Sequence, residues 1–372
     1  MVDFANRIDH VSISGIREVF EAAGPDAINL GIGQPDFDAP QHVHQAAVDA
    51  IESGVADNYT FNRGTDGLRA AIRSKHHREN DLDIEDGSVI ATAGGSEALH
   101  LAIEAHVEPG DEVLIPDPGF VSYEALTHIA GGTPRSVPLR DDLCLDPGAV
   151  EEAITDETTA FIVNSPANPT GTVQSPDEMR EFARIADDHD ILCISDEVYE
   201  HIIYEGTHIS PMAYTETDNV VVVHACSKSF AMTGWRLGWV VASPRRIEAM
   251  LKVHQYVQAC ASAPAQYAAE AALTGPQEPV TRMVETFERR RNILLDGLEE
   301  LGLACPRPSG AFYAMPAVPE GWVEAVIDAG VIVVPGEAFG PGGAGHARIS
   351  YAADEESIKD ALEVMRSVTN SL

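Results

Sequence analysis

Four lysines occur in the chain, Lys75, Lys228, Lys252 and Lys359, and one of them keeps unusual company. Lys228 lies in Ala225-Cys-Ser-Lys-Ser-Phe-Ala-Met-Thr-Gly-Trp-Arg-Leu-Gly238, a small-residue turn after the apolar run Val220–Ala225. A lysine at the C-terminal end of a strand in an α/β sheet stands where ligands bind. Desolvated there, or set beside another cation, its amine loses its proton near neutral pH and can attack a carbonyl. An ordinary salt-bridged lysine is the competing reading.

Three further stretches carry comparable chemistry. Asp196 follows the apolar run Ile191–Ser195 and so stands at the same rim, either as a functional acid or as a helix N-cap. In Asn164-Ser-Pro-Ala-Asn-Pro-Thr-Gly171, two prolines and a glycine impose a rigid non-helical path on Asn168; a plain turn is the alternative. In Thr92-Ala-Gly-Gly-Ser-Glu-Ala98, a strand, two glycines and a helix start leave the backbone N–H groups of Gly94, Gly95 and Ser96 free for a phosphate. That last signal is weak alone, since many helices begin with glycine.

The elements that must position these groups are short apolar β-branched runs alternating with helical patterns. Val89–Ala93, Glu112–Ile115, Thr133–Val137, Ala160–Asn164, Ile191–Ser195, Val220–Ala225 and Leu237–Ala242 read as strands. Ser96–Ala105, Phe120–Ile129 and Pro176–Asp188 read as helices between them. This order predicts an α/β fold with a mostly parallel central sheet flanked by helices. A helix is expected over Ile16–Ala23, a long one from about 280 to Leu301, and a last one over Glu355–Val368. The domain expectation is a large domain over 42–276 and a smaller α+β domain built from 1–41 and 277–372.

Composition narrows the function classes. The 372 residues hold 24 Lys+Arg against 59 Asp+Glu, a formal net charge of −35. Such a chain repels phosphate backbones and anionic membrane surfaces, so nucleic acid and membrane partners are not expected. No apolar run approaches a membrane span, and no signal peptide is visible at the N-terminus. Five cysteines, odd in number and without Cys-x-x-Cys spacing, fit a reduced cytoplasm better than a disulfide framework. An acidic surface poor in lysine suits a protein working at very high salt, where screening removes the self-repulsion. Of the fourteen histidines, the close pairs His42/His44 and His76/His77 lack a second cluster, so no metal is expected.

The order of the motifs is more specific than any one of them. Thr-Ala-Gly-Gly-Ser-Glu-Ala-Leu, Asn-Pro-Thr-Gly, Asp-Glu-Val-Tyr, Ser-Lys and Gly-Trp-Arg follow one another, flanked by Asn29-Leu-Gly-Ile-Gly-Gln-Pro-Asp-Phe37, Gly310-Ala-Phe-Tyr313 and Arg348-Ile-Ser-Tyr351. Together they resemble the class I and II aminotransferases, fold type I enzymes that use pyridoxal 5′-phosphate, over nearly the whole chain. The likeness is greatest to the archaeal and bacterial subgroup handling aspartate or aromatic amino acids, in an extreme-halophile form.

The resemblance implies a role for each matching residue. Lys228 would hold the cofactor as a Schiff base and then move the substrate proton. Asp196 would pair with the pyridine nitrogen, and Asn168 and Tyr199 would hydrogen-bond the phenolic oxygen. Phe120 would stack on the ring. Gly94, Gly95, Ser96 and Arg236 would hold the phosphate, with Ser227 as a candidate helper. The family usually carries Ser or Gly where Ala225 stands. Tyr59 would reach the phosphate of the other subunit, which implies a homodimer. Arg348, with Asn168 and the backbone of Gly33, would bind the substrate α-carboxylate. Ser96 replaces a lysine that some aspartate-preferring relatives use for the distal carboxylate. Arg17 and Arg63 are candidate replacements, and Ile16, Phe120 and Phe312 would make an apolar side-chain pocket.

The expected reaction is therefore amino transfer from an L-amino acid, aspartate or an aromatic or neutral donor, to a 2-oxo acid such as 2-oxoglutarate. A C–S β-lyase on the same scaffold is the alternative, because it would use the same lysine. A ligand-sensing regulator with a fused DNA-binding module fits neither the charge nor a match that begins by residue 14. A dinucleotide enzyme fails because Gly31-Ile-Gly-Gln-Pro-Asp36 lacks the third glycine and Pro35 would break the helix start.

Overall fold

The computed structural model describes residues 5–13, 15 and 27–372. The helix expected over Ile16–Ala23, and with it Ile16 and Arg17, lies outside the described residues. The strands, in chain order, are β1 (Ile28–Asn29), β2 (Val89–Thr92), β3 (Glu112–Asp117), β4 (Thr133–Pro138), β5 (Thr158–Asn164), β6 (Leu192–Asp196), β7 (Val220–Ala225) and β8 (Gly238–Val241). Seven of them form one sheet in the order β2-β8-β7-β6-β5-β3-β4. Only β8 runs antiparallel to its neighbours β2 and β7; the remaining pairs are parallel.

Every residue of β2, β6, β7 and β8 is buried, as expected where helices cover both faces of a sheet. One face packs Phe161, Val163, Val222 and Trp239 against Phe182 and Ala268. The other packs Ile162, Ile194, Val221 and Val223 against Leu99 and Met250. Pro176–His189 shows how local chemistry sets such a helix. Ser175 and Glu178 close a capping box, Pro176 starts the first turn, and Met179, Phe182, Ala183 and Ala186 form the buried stripe.

A third core gathers the C-terminal part around Phe287, Phe312, Trp322, Ile349 and Ile358. Its strands are β9 (Tyr313–Ala314), β10 (Val331–Ile332), β11 (Val334–Pro335) and β12 (Ala347–Ser350). The N-terminal strand joins this part, since Ile28 pairs with Val331 and Asn29 with Ile332 in parallel. The long helix runs Glu278–Glu300 and the last one Glu355–Thr369. Among the described residues, no helix is long and apolar enough to cross a membrane.

Topology decides where the chemistry collects. Because β8 is antiparallel to both β2 and β7, the strands β2, β5, β6 and β7 all point the same way. Their ends, Thr92, Asn164, Asp196 and Ala225, therefore share one rim, and β8 begins there at Gly238. Gly238 sits in register between Thr92 and Ala225.

Candidate active site

A cavity of about 350 Å³ opens at that rim and meets the third core from its other side. Gly33, Gly95, Ser96, Phe120, Asn168, Asp196, Tyr199, Ser227, Lys228, Arg236 and Arg348 all line it, drawn from segments scattered across the sequence. Gly94 sits one residue outside the lining, as N-cap of the helix Gly95–Glu104. Tyr59 stands apart: it is 89% exposed and does not line its own chain's cavity.

Lys228 lies on a single helical turn, Cys226–Ser229, directly after β7. Its Nζ donates to the carbonyl of Gly33. The amine is wrapped by protein and faces the Arg348 and Arg236 cations, and burial together with those charges pulls it down to about 8. A neutral lysine near physiological pH is what attack on a carbonyl requires.

Asp196 ends β6 and is followed by turns rather than an α-helix, so the N-cap reading does not apply. Burial pushes its carboxyl up to about 6, opposed by hydrogen bonds from the Tyr123 hydroxyl and the Val198 N–H. Asn164, in register with Asp196, ties two loops together. Its Nδ2 donates to the Asp196 carbonyl at 2.9 Å, and its Oδ1 accepts the Asn168 N–H at 2.7 Å. The rigid path expected of the Asn-Pro-Thr-Gly stretch thus has a specific anchor.

Arg348, on β12, is 1% exposed. Its Nη1 donates to Asn168 Oδ1 at 3.0 Å and its Nη2 to the Gly31 carbonyl. The guanidinium lies between two rings, 4.6 Å from Tyr313 and 4.7 Å from Phe339. Its Nε is buried without a partner among the described residues. Such a donor awaits an acceptor, and a carboxylate would supply one bidentately.

The glycine end of the cavity fits a phosphate. Gly94 has φ +79°, and a Cβ there would stand 2.6 Å from Arg236 Nη2. The missing side chain is what lets the guanidinium approach the helix start. Arg236 is exposed to the cavity mouth and braced by its Nη1 to the Thr233 carbonyl at 3.0 Å. The Gly94 N–H, expected to be free, donates to the Thr92 carbonyl at 2.8 Å, so the helix-start N–H groups of Gly95 and Ser96 and the arginine fork make the anion cradle. Between the cradle and Arg348 lie an amine for an aldehyde, a carboxylate for a ring nitrogen and an aromatic face at Phe120. That donor set suits a phosphorylated pyridine aldehyde at one end and a carboxylate at the other.

Sequence reasoning missed three participants. Tyr123 donates to Asp196, Asn164 braces the loop, and Tyr313 shares a 2.8 Å hydroxyl–hydroxyl hydrogen bond with Tyr199. Tyr313 stands in the Gly310–Tyr313 motif beside Phe312, and Tyr123 three residues after Phe120. Phe312 proves to be core: it is 0% exposed and packs on Phe287 and Tyr199 rather than lining the cavity. Arg63 donates to the Gly87 carbonyl at 3.3 Å and does not line its own chain's cavity.

Behind the sheet from Asp196 lies a separate buried ionic cluster. Glu197 accepts from Ser195, Ser210 and His208, and Glu200 pairs with Lys75 and His224. Glu197, Glu200 and His224 hold ligand-capable atoms within 4.8 Å of one another, a grouping the sequence spacing did not reveal. Lys75 already pairs with Glu200, and His208 hydrogen-bonds Glu197.

Comparison with known proteins agrees with this geometry. The family model for aminotransferase class I and II matches residues 25–365. A probable aspartate aminotransferase of Methanocaldococcus jannaschii is 42% identical, covering 98% of this chain and 99% of the relative. An aromatic-amino-acid aminotransferase of Thermococcus litoralis is 35% identical over 98% of this chain and 97% of its own. The solved aspartate aminotransferase of Thermus thermophilus with maleate superposes with a TM-score of 0.93 at 37% identity, covering 99% of this chain and 100% of that one. With a family model matched over most of its length and relatives of this identity covered nearly end to end, the chain belongs to the class I and II aminotransferases, transaminases dependent on pyridoxal 5′-phosphate.

Proposed function

We propose that this transaminase moves the amino group of aspartate, or of an aromatic or neutral L-amino acid, to a 2-oxo acid, with 2-oxoglutarate as the common acceptor. The observation that carries this reading is the convergence of Lys228, Asp196 and Arg348 on one cavity, with an anion cradle at its far end. The backbone of Gly95 and Ser96, with Ser227 and with Arg236 admitted by the bare Gly94, would hold the cofactor phosphate. Phe120 would cover one ring face, Asp196 would take the ring nitrogen, and Asn168 and Tyr199 would take the phenolic oxygen. Bound there, pyridoxal phosphate supplies an electron sink for the pair released when the Cα–H bond breaks.

The chain's own residues do the rest. Arg348 and Asn168 fix the α-carboxylate that every amino and oxo acid shares, so one arginine serves both halves of the reaction. Lys228 Nζ, its proton affinity lowered by burial and the neighbouring arginines, would be the base that takes up and returns the substrate proton. Tyr199 keeps its proton, because burial raises its hydroxyl well above the usual range, and so acts as a donor. Asp196 would keep the ring nitrogen protonated.

Side-chain preference follows from what the cavity lacks. Among the described residues its cations are Lys228, Arg236 and Arg348, all committed, while Ile32, Leu99, Phe120 and Val198 supply apolar surface. That favours aromatic and neutral donors; aspartate requires a further cation from a second subunit. We further propose a cytoplasmic homodimer in which Tyr59 completes the partner's phosphate site. Tyr59, Phe61 and Tyr256 are 89%, 70% and 87% exposed, and Asn62 Nδ2 ties the first pair's loop to the Ala259 carbonyl near Tyr256. Exposed aromatics grouped in this way mark a protein interface. The −35 charge supports a working environment of high salt.

A donor screen against 2-oxoglutarate in concentrated potassium chloride tests the reading. Aromatic, neutral and acidic amino acids are compared by kcat/KM. Catalytic release of pyruvate and ammonia from cysteine, without amino transfer, would establish a C–S β-lyase instead.

A further inference from the structure

Asp196 stands in a site that solvates it poorly. Its Oδ2 accepts the Tyr123 hydroxyl at 2.8 Å, while Oδ1, among the described residues, has only the Val198 N–H at 3.4 Å. Tyr123 is itself 1% exposed. It opens the helix Ser122–Ala130, where its N–H donates to the Phe120 carbonyl at 3.0 Å and its own carbonyl accepts the Thr127 hydroxyl at 2.8 Å. Its ring meets that of Phe120 edge-on, with centroids 5.6 Å apart and planes at 84°. One residue therefore touches both the acid and the aromatic face of the cavity.

We propose that Tyr123 is a positioning residue for transamination: its hydroxyl occupies Asp196 Oδ2 and presents Oδ1 as a carboxylate oxygen to the cofactor ring nitrogen, while its ring holds Phe120 over the ring face. The inference rests on the cofactor placement proposed above. The physical need is clear. A buried carboxylate without a strong donor takes up a proton, and a neutral acid cannot hold a proton on a pyridine nitrogen. The Tyr123 bond works against that uptake. Burial and the neighbouring carboxylate keep the Tyr123 hydroxyl protonated, so it stays a donor across the working pH range. With Oδ2 engaged, the carboxylate cannot swing both oxygens away from the ring.

Tyr123→Phe isolates the hydroxyl, because the ring and its contact with Phe120 remain. In the holoenzyme, kcat is expected to fall about ten- to a hundredfold, the range for a hydrogen bond to a charged group. KM for the oxo acid should stay within about twofold, since Arg348 is untouched. The absorbance of the bound cofactor should titrate differently, with the ring nitrogen losing its proton at lower pH. Asp196→Asn and the double variant complete the cycle. If the hydroxyl acts through Asp196, Tyr123→Phe costs little in the Asp196→Asn background. An equal loss in both backgrounds shows a merely structural tyrosine and overturns the inference, as does a silent Tyr123→Phe beside a damaging Asp196→Asn. A silent Asp196→Asn removes the cofactor placement itself, and this inference with it.

Discussion

Arg348 Nη1 donates to Asn168 Oδ1 at 3.0 Å across 180 residues of sequence. The arginine belongs to β12, packed in the C-terminal core, while the asparagine belongs to the loop after β5 of the seven-stranded sheet. In the proposed function the bond joins the site for the substrate carboxylate to the loop that would meet the cofactor ring. Arg348→Lys keeps a cation but loses the fork. Its KM is expected to rise about a hundredfold for every amino and oxo acid alike, the cost of about 3 kcal/mol of bidentate, charge-assisted bonding. Steady-state kinetics with several donors checks this; a loss confined to one donor contradicts the shared-carboxylate role.

Lys228→Ala is expected to lower kcat by about 10⁴-fold, because the group that moves the proton is gone. Borohydride treatment of the wild-type holoenzyme should fix the cofactor on Lys228, located by peptide mass. Label on Lys75, Lys252 or Lys359 would refute the assignment.

The amine's acidity gives a pH dependence with a definite sign. Lys228 is drawn down to about 8, first by burial and then by Arg348 and Arg236. Below that pH it is an ammonium and cannot attack; above it the neutral amine dominates. The rate at which cofactor-free protein captures pyridoxal phosphate should rise tenfold per pH unit below about 8 and flatten above it. Arg348→Met removes one of the cations and should move the bend to higher pH. Stopped-flow absorbance follows both.

Gly238 lies where backbones crowd. A Cβ there would stand 2.6 Å from the His224 carbonyl oxygen, 2.7 Å from Gly94 C and 2.8 Å from Gly95 N. These are main-chain atoms and cannot swing aside. Gly238→Ala is expected to cost about 1–3 kcal/mol of stability and to weaken cofactor binding by spreading the cradle. Thermal unfolding and cofactor titration measure the two effects.

The shared-site dimer is tested by complementation. Tyr59→Ala and Lys228→Ala chains, each impaired, are dissociated by withdrawing salt and reassociated together. A mixed dimer would contain one site with both residues intact, so about a quarter of wild-type activity should return. No recovery excludes Tyr59 from the neighbouring site. Dissociation on salt removal, seen by sedimentation, is expected if screening holds the acidic subunits together; a dimer indifferent to salt would leave the −35 charge without that role.

Much of the sheet could be read from the sequence, because buried parallel strands leave apolar runs with few interruptions. Val220–Ala225 was placed to the residue, and the helix expected from Phe120 begins two residues later at Ser122. The helices Gln41–Glu52 and Asp66–Asn80 were not singled out, since their charged outer faces dilute the apolar stripe. The identities of Lys228, Asp196, Asn168, Arg236 and Arg348 were also legible, because residue type and ordered spacing persist in the chain whatever its fold. Contacts were not. Nothing in the spacing says that Tyr123 meets Asp196, that Tyr313 meets Tyr199, or that Phe312 turns inward while its neighbour faces the cavity. These pairings depend on which face a residue takes and on the antiparallel entry of β8, which brings Arg236 back to the glycines of β2. The sequence by itself determined the chemistry available. Only tertiary structure decided which groups would lose water, face a like charge and share a proton, because those are properties of neighbours brought from far along the chain.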